Sequence, residues 1–216
     1  MVEEALAQDG LVRELIIEEK NPAVDSFLGG EVSVTLISEE VSSVLSETKT
    51  EQGIFAVVEM TEPELLFLVG KKFLLMDAVQ DPGNVGTIIR TADAAGFDAV
   101  ILGRGSADLY NPKVIRSTQG SHFHIAVIEA DLSEWLFRLH DEEIPVYGAF
   151  LDETAASYDQ ISRKDSFAIM VGNEGNGISK DLEQHIQHKV YIPIYGKSES
   201  LNVAVAAGIL MYALRK

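Results

Sequence analysis

Phe167-Ala-Ile-Met-Val171 runs into Gly172-Asn-Glu-Gly-Asn-Gly-Ile-Ser179, and Val190-Tyr-Ile-Pro-Ile194 runs into Tyr195-Gly-Lys-Ser-Glu-Ser-Leu-Asn202. Each is a short apolar stretch that reads as a buried strand, closed by a loop of glycine and small polar residues. The second loop opens Val203–Leu214, which is apolar nearly all round and reads as a buried helix. Two strand–loop units this close in the chain bring backbone amides and small side chains to a common place, as a ligand site requires.

Back to Phe73, strands and helices alternate. Strands are expected at Phe73–Met76, Ala99–Leu102, His124–Ile128 and Pro145–Phe150. Between them come a helix at Asn84–Ala95, opened after Pro82-Gly83 and stopped by Gly96, a short helix at Lys113–Gly120, and a helix at Leu132–His140 carrying Trp135. Such alternation defines an α/β domain with a mainly parallel sheet over 73–216, its ligand site beyond the carboxyl ends of the strands. Residues 1–60 form a separate small unit. Val2–Ala7 and Leu11–Lys20 read as helical, Val32–Ile37 as a strand, Ser38 as the cap of a helix led by Glu39 and Glu40, and Gly53–Val58 as a closing strand. Residues 61–72, with Pro63 and the pair Lys71-Lys72, are expected to link the two.

A chain of 216 residues that is 46% apolar suits this division and has ample material for a core. The absence of cysteine excludes disulfides and thiolate metal sites and suits the cytoplasm. The acidic start (Glu3, Glu4, Asp9) is unlike a signal peptide, and Val203–Leu214 is far shorter than the roughly 20 apolar residues a bilayer needs. No membrane association is expected. The five histidines (His122, His124, His140, His185, His188) lack a supporting carboxylate pattern, so no metal is expected either. The net charge of −17 argues against a protein that coats nucleic acid through a basic surface, because phosphate neutralisation supplies much of that affinity. An enzyme that meets RNA through a local basic patch remains compatible with it.

Three segments carry candidate chemistry, and each has a plain structural alternative. Gly172-Asn-Glu-Gly-Asn-Gly177 has neither the spacing of a dinucleotide fingerprint nor the lysine of a P-loop; it is either a tight turn or a place where backbone approaches a small cofactor. Ser200 and Asn202 flank Leu201 where a helix starts, and one cap accounts for only one of them. In Asn84-Val-Gly-Thr-Ile-Ile-Arg90, Arg90 shares a helical face with Gly86 and Asp93, while Ile88, Ile89, Ala92 and Ala95 form the apolar face. The plain alternative for Arg90 is a surface pair with Asp93, worth little.

In order along the chain, Asn-x-Gly-x-x-x-Arg, Gly-Asn-Glu-Gly and Ile-Pro-x-x-Gly-x-x-x-Ser-Leu-Asn-Val resemble the three signature motifs of the SpoU-type RNA 2′-O-ribose methyltransferases of the SPOUT class. The resemblance covers 73–216, including Asn111-Pro-Lys-Val-Ile-Arg-Ser-Thr-Gln-Gly120. Residues 1–60 look like the family's small ribosomal-protein-like substrate-binding domain, with its usual opening helix and first strand expected to be missing. One departure is Ala204, where the family often has serine. The resemblance implies a trefoil-knotted α/β domain, an exception to the rule against threaded loops, and a homodimer paired near the active site. S-adenosylmethionine is then expected at Gly172, Asn173, Gly175, Ile192, Ile194 and Leu201. The family's functional residues carry over onto Asn84, Arg90, Glu174, Ser200 and Asn202.

The implied chemistry is an in-line displacement in which alignment matters most. Arg90 is expected to touch the ribose 2′-oxygen and to stabilise developing negative charge, since a guanidinium with a pKa above about 12 is a poor base. Glu174 would orient Arg90 or hold a ribose hydroxyl; Asn84, Ser200 and Asn202 would fix Arg90, the ribose or its phosphate. Lys113 and Arg116, three apart on a helix, are the expected phosphate contacts. The implied substrate is structured rRNA, with tRNA, or a non-catalytic assembly factor that has kept the fold, as the alternatives.

Overall fold

The computed structural model describes residues 1–46, 52–60, 63, 65, 68, 70–152, 155–162 and 164–215. They fall into two compact units, Met1–Thr61 and Glu62–Lys216.

The first unit runs α1 (Val2–Leu6), β1 (Val12–Glu18), α2 (Val24–Phe27), β2 (Ser33–Ile37), α3 (Glu39–Leu45) and β3 (Ile54–Val58). Its three-stranded sheet has the order β2-β1-β3, with β1 parallel to β2 and antiparallel to β3. The expectation of a helix at Leu11–Lys20 is overturned: Val12–Glu18 is the central strand. Val12, Leu15 and Ile17 turn inward and Arg13 outward, and hydrogen bonding to neighbours on both edges outweighs the helix propensity of Leu, Arg and Glu. Ser38 stands at the N-cap of α3 but makes no side-chain capping bond.

The second unit follows with β4 (Lys72–Met76), α4 (Pro82–Ala94), β5 (Ala99–Leu102), α5 (Pro112–Thr118), β6 (Ala126–Glu129), α6 (Leu132–Asp141), β7 (Val146–Ala149), β8 (Ala156–Ser157), β9 (Phe167–Val171), α7 (Lys180–Glu183), β10 (His188–Tyr191) and α8 (Val203–Arg215). Its seven strands, in the order β6-β5-β4-β9-β7-β10-β8, pair only in parallel. Every residue of β5 and β9 is buried, as a sheet covered on both faces demands. Leu74, Met76, Val100, Ile169 and Val171 face α4 and α8, while Phe73, Leu75, Ile101 and Met170 face Trp135, Leu136 and Leu139 of α6. Fully burying one such side chain contributes roughly 1.5–3 kcal/mol.

Of the expected linker 61–72, Thr61, Glu62, Glu64, Leu66, Phe67 and Val69 lie outside the described residues. Leu68 is buried in the α6-side core with Leu65 packed against it, and Lys71 pairs with Asp98. Among the described residues no helix is long and apolar enough to cross a membrane, and no group of three or more metal-ligating side chains occurs.

Two boundaries differ from expectation in ways that shape the site. Helix α4 begins at Pro82, capped by Asp81, whose Oδ1 accepts from Asn84 N at 2.9 Å. Proline at N1 gives up no hydrogen bond and has its φ already set. Strand β10 ends at Tyr191, not Ile194. Pro193 has no N–H for the ladder, so Ile192–Ile194 leave the sheet.

Candidate active site

The order of strands reverses between β4 and β9, and beside that point the loops after the neighbouring strands β9, β7 and β10 converge on one cleft. This is where an open parallel sheet offers a crevice. The crevice is a cleft of about 790 Å³, within the range of small-molecule sites. Gly172, Asn173, Gly175, Ile192, Ile194 and Leu201 all line it, as do Glu174, Ser200 and Asn202. Asn84 and Arg90 are not on its wall.

The loop after β9 is locked to the loop after β4. Asn173 and Gly177 exchange main-chain hydrogen bonds at 3.0 and 2.9 Å. Asn173 Oδ1 accepts from Gly175 N at 2.9 Å and its Nδ2 donates to Ala78 O at 2.9 Å. Side chain and main chain of Asn173 alike thus hold the loop together at the edge of the cleft. Asp77, buried at the end of β4, accepts from Ser179 N at 2.7 Å. A Cβ on Gly172 would stand 2.1 Å from Gly177 C and 2.2 Å from Ile178 N. Glycine at 172 is therefore demanded by the loop's own backbone, a cause that stands whether or not a cofactor also approaches it from the cleft.

A line of three side chains ties the signature segments together. Asn84 Nδ2 donates to Glu174 Oε1 at 3.0 Å, and Asn202 Nδ2 donates to Asn84 Oδ1 at 3.0 Å. Asn202 Oδ1 then accepts from Ala204 N at 2.9 Å and Val205 N at 3.3 Å, capping α8. The amide orientations are forced at each link. An ionised Glu174 can only accept, so Asn84 presents its NH2 there and its oxygen to Asn202. Glu174 also accepts from the main-chain N–H groups of Gln80 and Asp81, both at 3.4 Å. Burial pushes the Glu174 carboxyl upward, but its hydrogen bonds, that from Asn84 first, bring it below its ordinary 4.5. A lowered carboxylate stabilises the fold above that ordinary value and loses the contribution as pH falls through the lowered one. At neutral pH the line is intact.

Ser200 is exposed on the cleft wall; its carbonyl accepts from Ser198 Oγ at 2.7 Å, and its hydroxyl makes no hydrogen bond among the described residues. Arg90 is exposed on α4, six residues beyond Asn84, which puts it about 9 Å up the helix and roughly 120° round it. It makes no ion pair among the described residues, and Glu174 does not orient it. Asp93 bonds His124 Nδ1 at 3.1 Å, so the surface Arg90–Asp93 pair is absent. Lys113 is exposed, and its Nζ sits 3.1 Å from Asp81 Oδ2, the carboxylate that caps α4, a surface pair worth little against a phosphate. Arg116 is half-buried and likewise engaged.

Sequence reasoning missed Asp77, Asp81 and the inward role of Asn173. Asp81-Pro82 was a readable signal, a capping residue followed by proline at N1. Gly86 has its own cause, since a Cβ there would lie 2.4 Å from Ser117 Cβ and 2.6 Å from Val114 O on α5.

Fold and site together define an α/β RNA methyltransferase. The chain belongs to the SpoU rRNA methylase family, whose model matches residues 71–212. A model described as RNA 2′-O ribose methyltransferase substrate binding matches residues 1–64. The chain is 47% identical over 215 residues to the 23S rRNA (guanosine(2553)-2′-O)-methyltransferase RlmP of Bacillus subtilis, covering 100% of this chain and 85% of that protein. Among solved structures, the S-adenosylmethionine-bound rRNA methyltransferase from Sinorhizobium meliloti superposes with a TM-score of 0.87 at 28% identity, covering 99% of this chain and 83% of that one. The SpoU methyltransferase AviRb from Streptomyces viridochromogenes, also in complex with the cofactor, gives 0.84 at 25% identity over 99% and 86%.

Proposed function

We propose that the chain transfers a methyl group from S-adenosylmethionine to a ribose 2′-hydroxyl of 23S rRNA. The observation that carries this reading is the line Glu174–Asn84–Asn202, which joins all three signature segments beside one cleft. The 47% identity to the Bacillus subtilis enzyme supports 23S rRNA, and a guanosine, as the target.

The cleft fits the cofactor. Its apolar walls include Val171, Ile192 and Ile194, suited to an adenine. The main-chain N–H groups of Ile192, Ile194 and Leu201 make no hydrogen bond within the chain among the described residues, leaving donors for its polar edges. When bound, S-adenosylmethionine supplies a methyl group on a positively charged sulfur, which needs no further activation. The chain's residues do the rest. Ser200 and Asn202 fix the geometry at the cleft's edge, and Arg90, outside the cofactor's walls, is assigned to the ribose. Its guanidinium would hold the 2′-oxygen and stabilise the charge that develops as the hydroxyl proton passes to solvent water.

The reading also takes in the trefoil path, supported by α8, last in sequence, packing on α4 and β9 in the middle of the domain. A homodimer belongs to it too. Helix α8 buries Val203, Ala207, Leu210 and Leu214 against its own chain, but leaves Val205 52% and Tyr212 46% exposed, one above the other with Ile209 between. A second copy would cover this stripe. Light scattering should give twice the chain mass, and Val205→Glu should give the single mass. An unchanged mass in the variant counts against α8 as the contact. An rRNA substrate places the work in the cytoplasm.

The activity test uses labelled S-adenosylmethionine with separate pools of unmodified rRNA and tRNA. Label in 23S rRNA that resists alkali at one dinucleotide is the expected result, since a 2′-O-methyl group blocks cleavage there. Label only in tRNA, or in neither pool, would overturn the reading.

A further inference from the structure

Tyr195 is 95% exposed, the barest large hydrophobic side chain among the described residues. It stands in the loop between β10 and α8, a few residues before Ser200 and Asn202. Ile194 before it and Glu199 after it line the cleft, so Tyr195–Ser198 forms the rim. Gly196 leaves open space beside the ring, with no atom within 4 Å of where a Cβ would be. Lys197 follows, exposed and without an ion pair among the described residues. Lys113, Lys189, Lys71 and Arg104 each pair with a carboxylate, whereas Lys180 on the cleft wall and Arg90 on α4 are, like Lys197, without an ion pair among the described residues. Leu151, 74% exposed, adds a second bare apolar side chain to the same cleft from the loop after β7.

We propose that this rim is the grip on single-stranded RNA: Tyr195 stacks on a base at or beside the target nucleotide, and Lys197 meets an adjoining phosphate. The inference rests on the RNA methyl-transfer reading and says how an acidic chain holds its substrate. With a net charge of −17, long-range attraction for phosphate is unfavourable. Much of the affinity must then come from contacts that do not depend on net charge, and every base has a face that an aromatic ring can stack on. An unpaired cation next to an unpaired ring is the minimal form of such a grip. The cofactor's adenine is not the partner of this ring, because Tyr195 is not on the cleft wall. The flanking Lys197, Ser198 and Glu199 are of types depleted from the core of protein interfaces, which favours RNA over a second copy of the chain as the ring's partner.

The test is Tyr195→Ala with an unmodified 23S rRNA transcript as probe. The KM for the transcript should rise roughly 10- to 100-fold. S-adenosylmethionine affinity by calorimetry should stay within twofold, and the mass in solution should not change. Tyr195→Phe should restore the wild-type KM, because the ring does the work. Lys197→Met should flatten the salt dependence of transcript binding by about 0.7 in log–log slope, one phosphate's share. An unchanged KM in Tyr195→Ala overturns the proposal. So does a loss confined to cofactor affinity, which makes the ring a cover for the cofactor, or a change of mass, which makes it a subunit contact. Wild-type protein that methylates the transcript while Tyr195→Ala matches it sinks this inference alone. Wild-type protein that methylates no RNA sinks the functional reading, and this inference with it.

Discussion

Arg90→Ala should cut methyl transfer by roughly 10²–10³-fold, the cost of removing one preorganised charge stabiliser, and leave S-adenosylmethionine affinity within a few-fold. The side chain is exposed, lines no part of the cofactor cleft and holds no partner among the described residues. Its removal therefore breaks no internal contact, and the melting temperature should be nearly unchanged. A loss of turnover without a loss of stability or cofactor binding is the signature of a group that meets substrate. Asn84→Ala is the contrasting variant. Asn84 is the middle of a line, so its loss leaves Glu174 and Asn202 each short of a partner, and both stability and cofactor affinity should fall alongside turnover. Near-normal turnover in Arg90→Ala would move the charge-stabilising contact to another residue, with Ser200, whose hydroxyl is uncommitted, the next to replace.

The difference between these two residues also shows what sequence can and cannot reveal here. The strand–loop units from Phe167 onward are legible because strands buried on both faces are apolar at every position and their loops need glycine. The same rule identifies β4 and β5. It fails at Leu11–Lys20, where Leu and Glu favour a helix and only pairing on both edges makes a strand. In the site, residue types and their order reveal which segments meet. They do not reveal that Asn173 turns its amide inward, that Lys113 pairs with the cap of α4, or that Arg90 is well round the helix from Asn84. Those depend on which of several competing hydrogen bonds wins once the loops are packed, and a single chain of letters does not rank them. The glycines are the clearest case: Gly86 and Gly172 look like a motif, but each answers to a neighbouring backbone or helix that is remote in sequence or several residues on.

Gly172→Val should abolish measurable S-adenosylmethionine binding, and for a reason internal to the protein. The added Cβ would fall 2.1–2.3 Å from the carbonyl carbon and oxygen of Gly177 and the nitrogen of Ile178. These are backbone atoms, so no rotamer change relieves the clash, and the loop must open. Opening breaks the paired bonds between Asn173 and Gly177, and pulls on the bonds from Asn173 to Ala78 O and from Ser179 N to Asp77. Overpacking of this kind costs about 1–3 kcal/mol or more, so the melting temperature should fall as well. Gly175→Ala is the control. Its Cβ would lie 3.4 Å from Asn173 Oδ1, an ordinary contact on the same loop, and cofactor affinity should stay within a few-fold. Calorimetry and thermal melting on both variants separate the two causes. If Gly172→Val bound normally and melted normally, the loop would not need its tight closure. If it melted normally but failed to bind, the side chain would be blocking the ligand's own space. Only combined loss in Gly172→Val, with Gly175→Ala spared, assigns the glycine to the fold of the loop and through the loop to the cofactor.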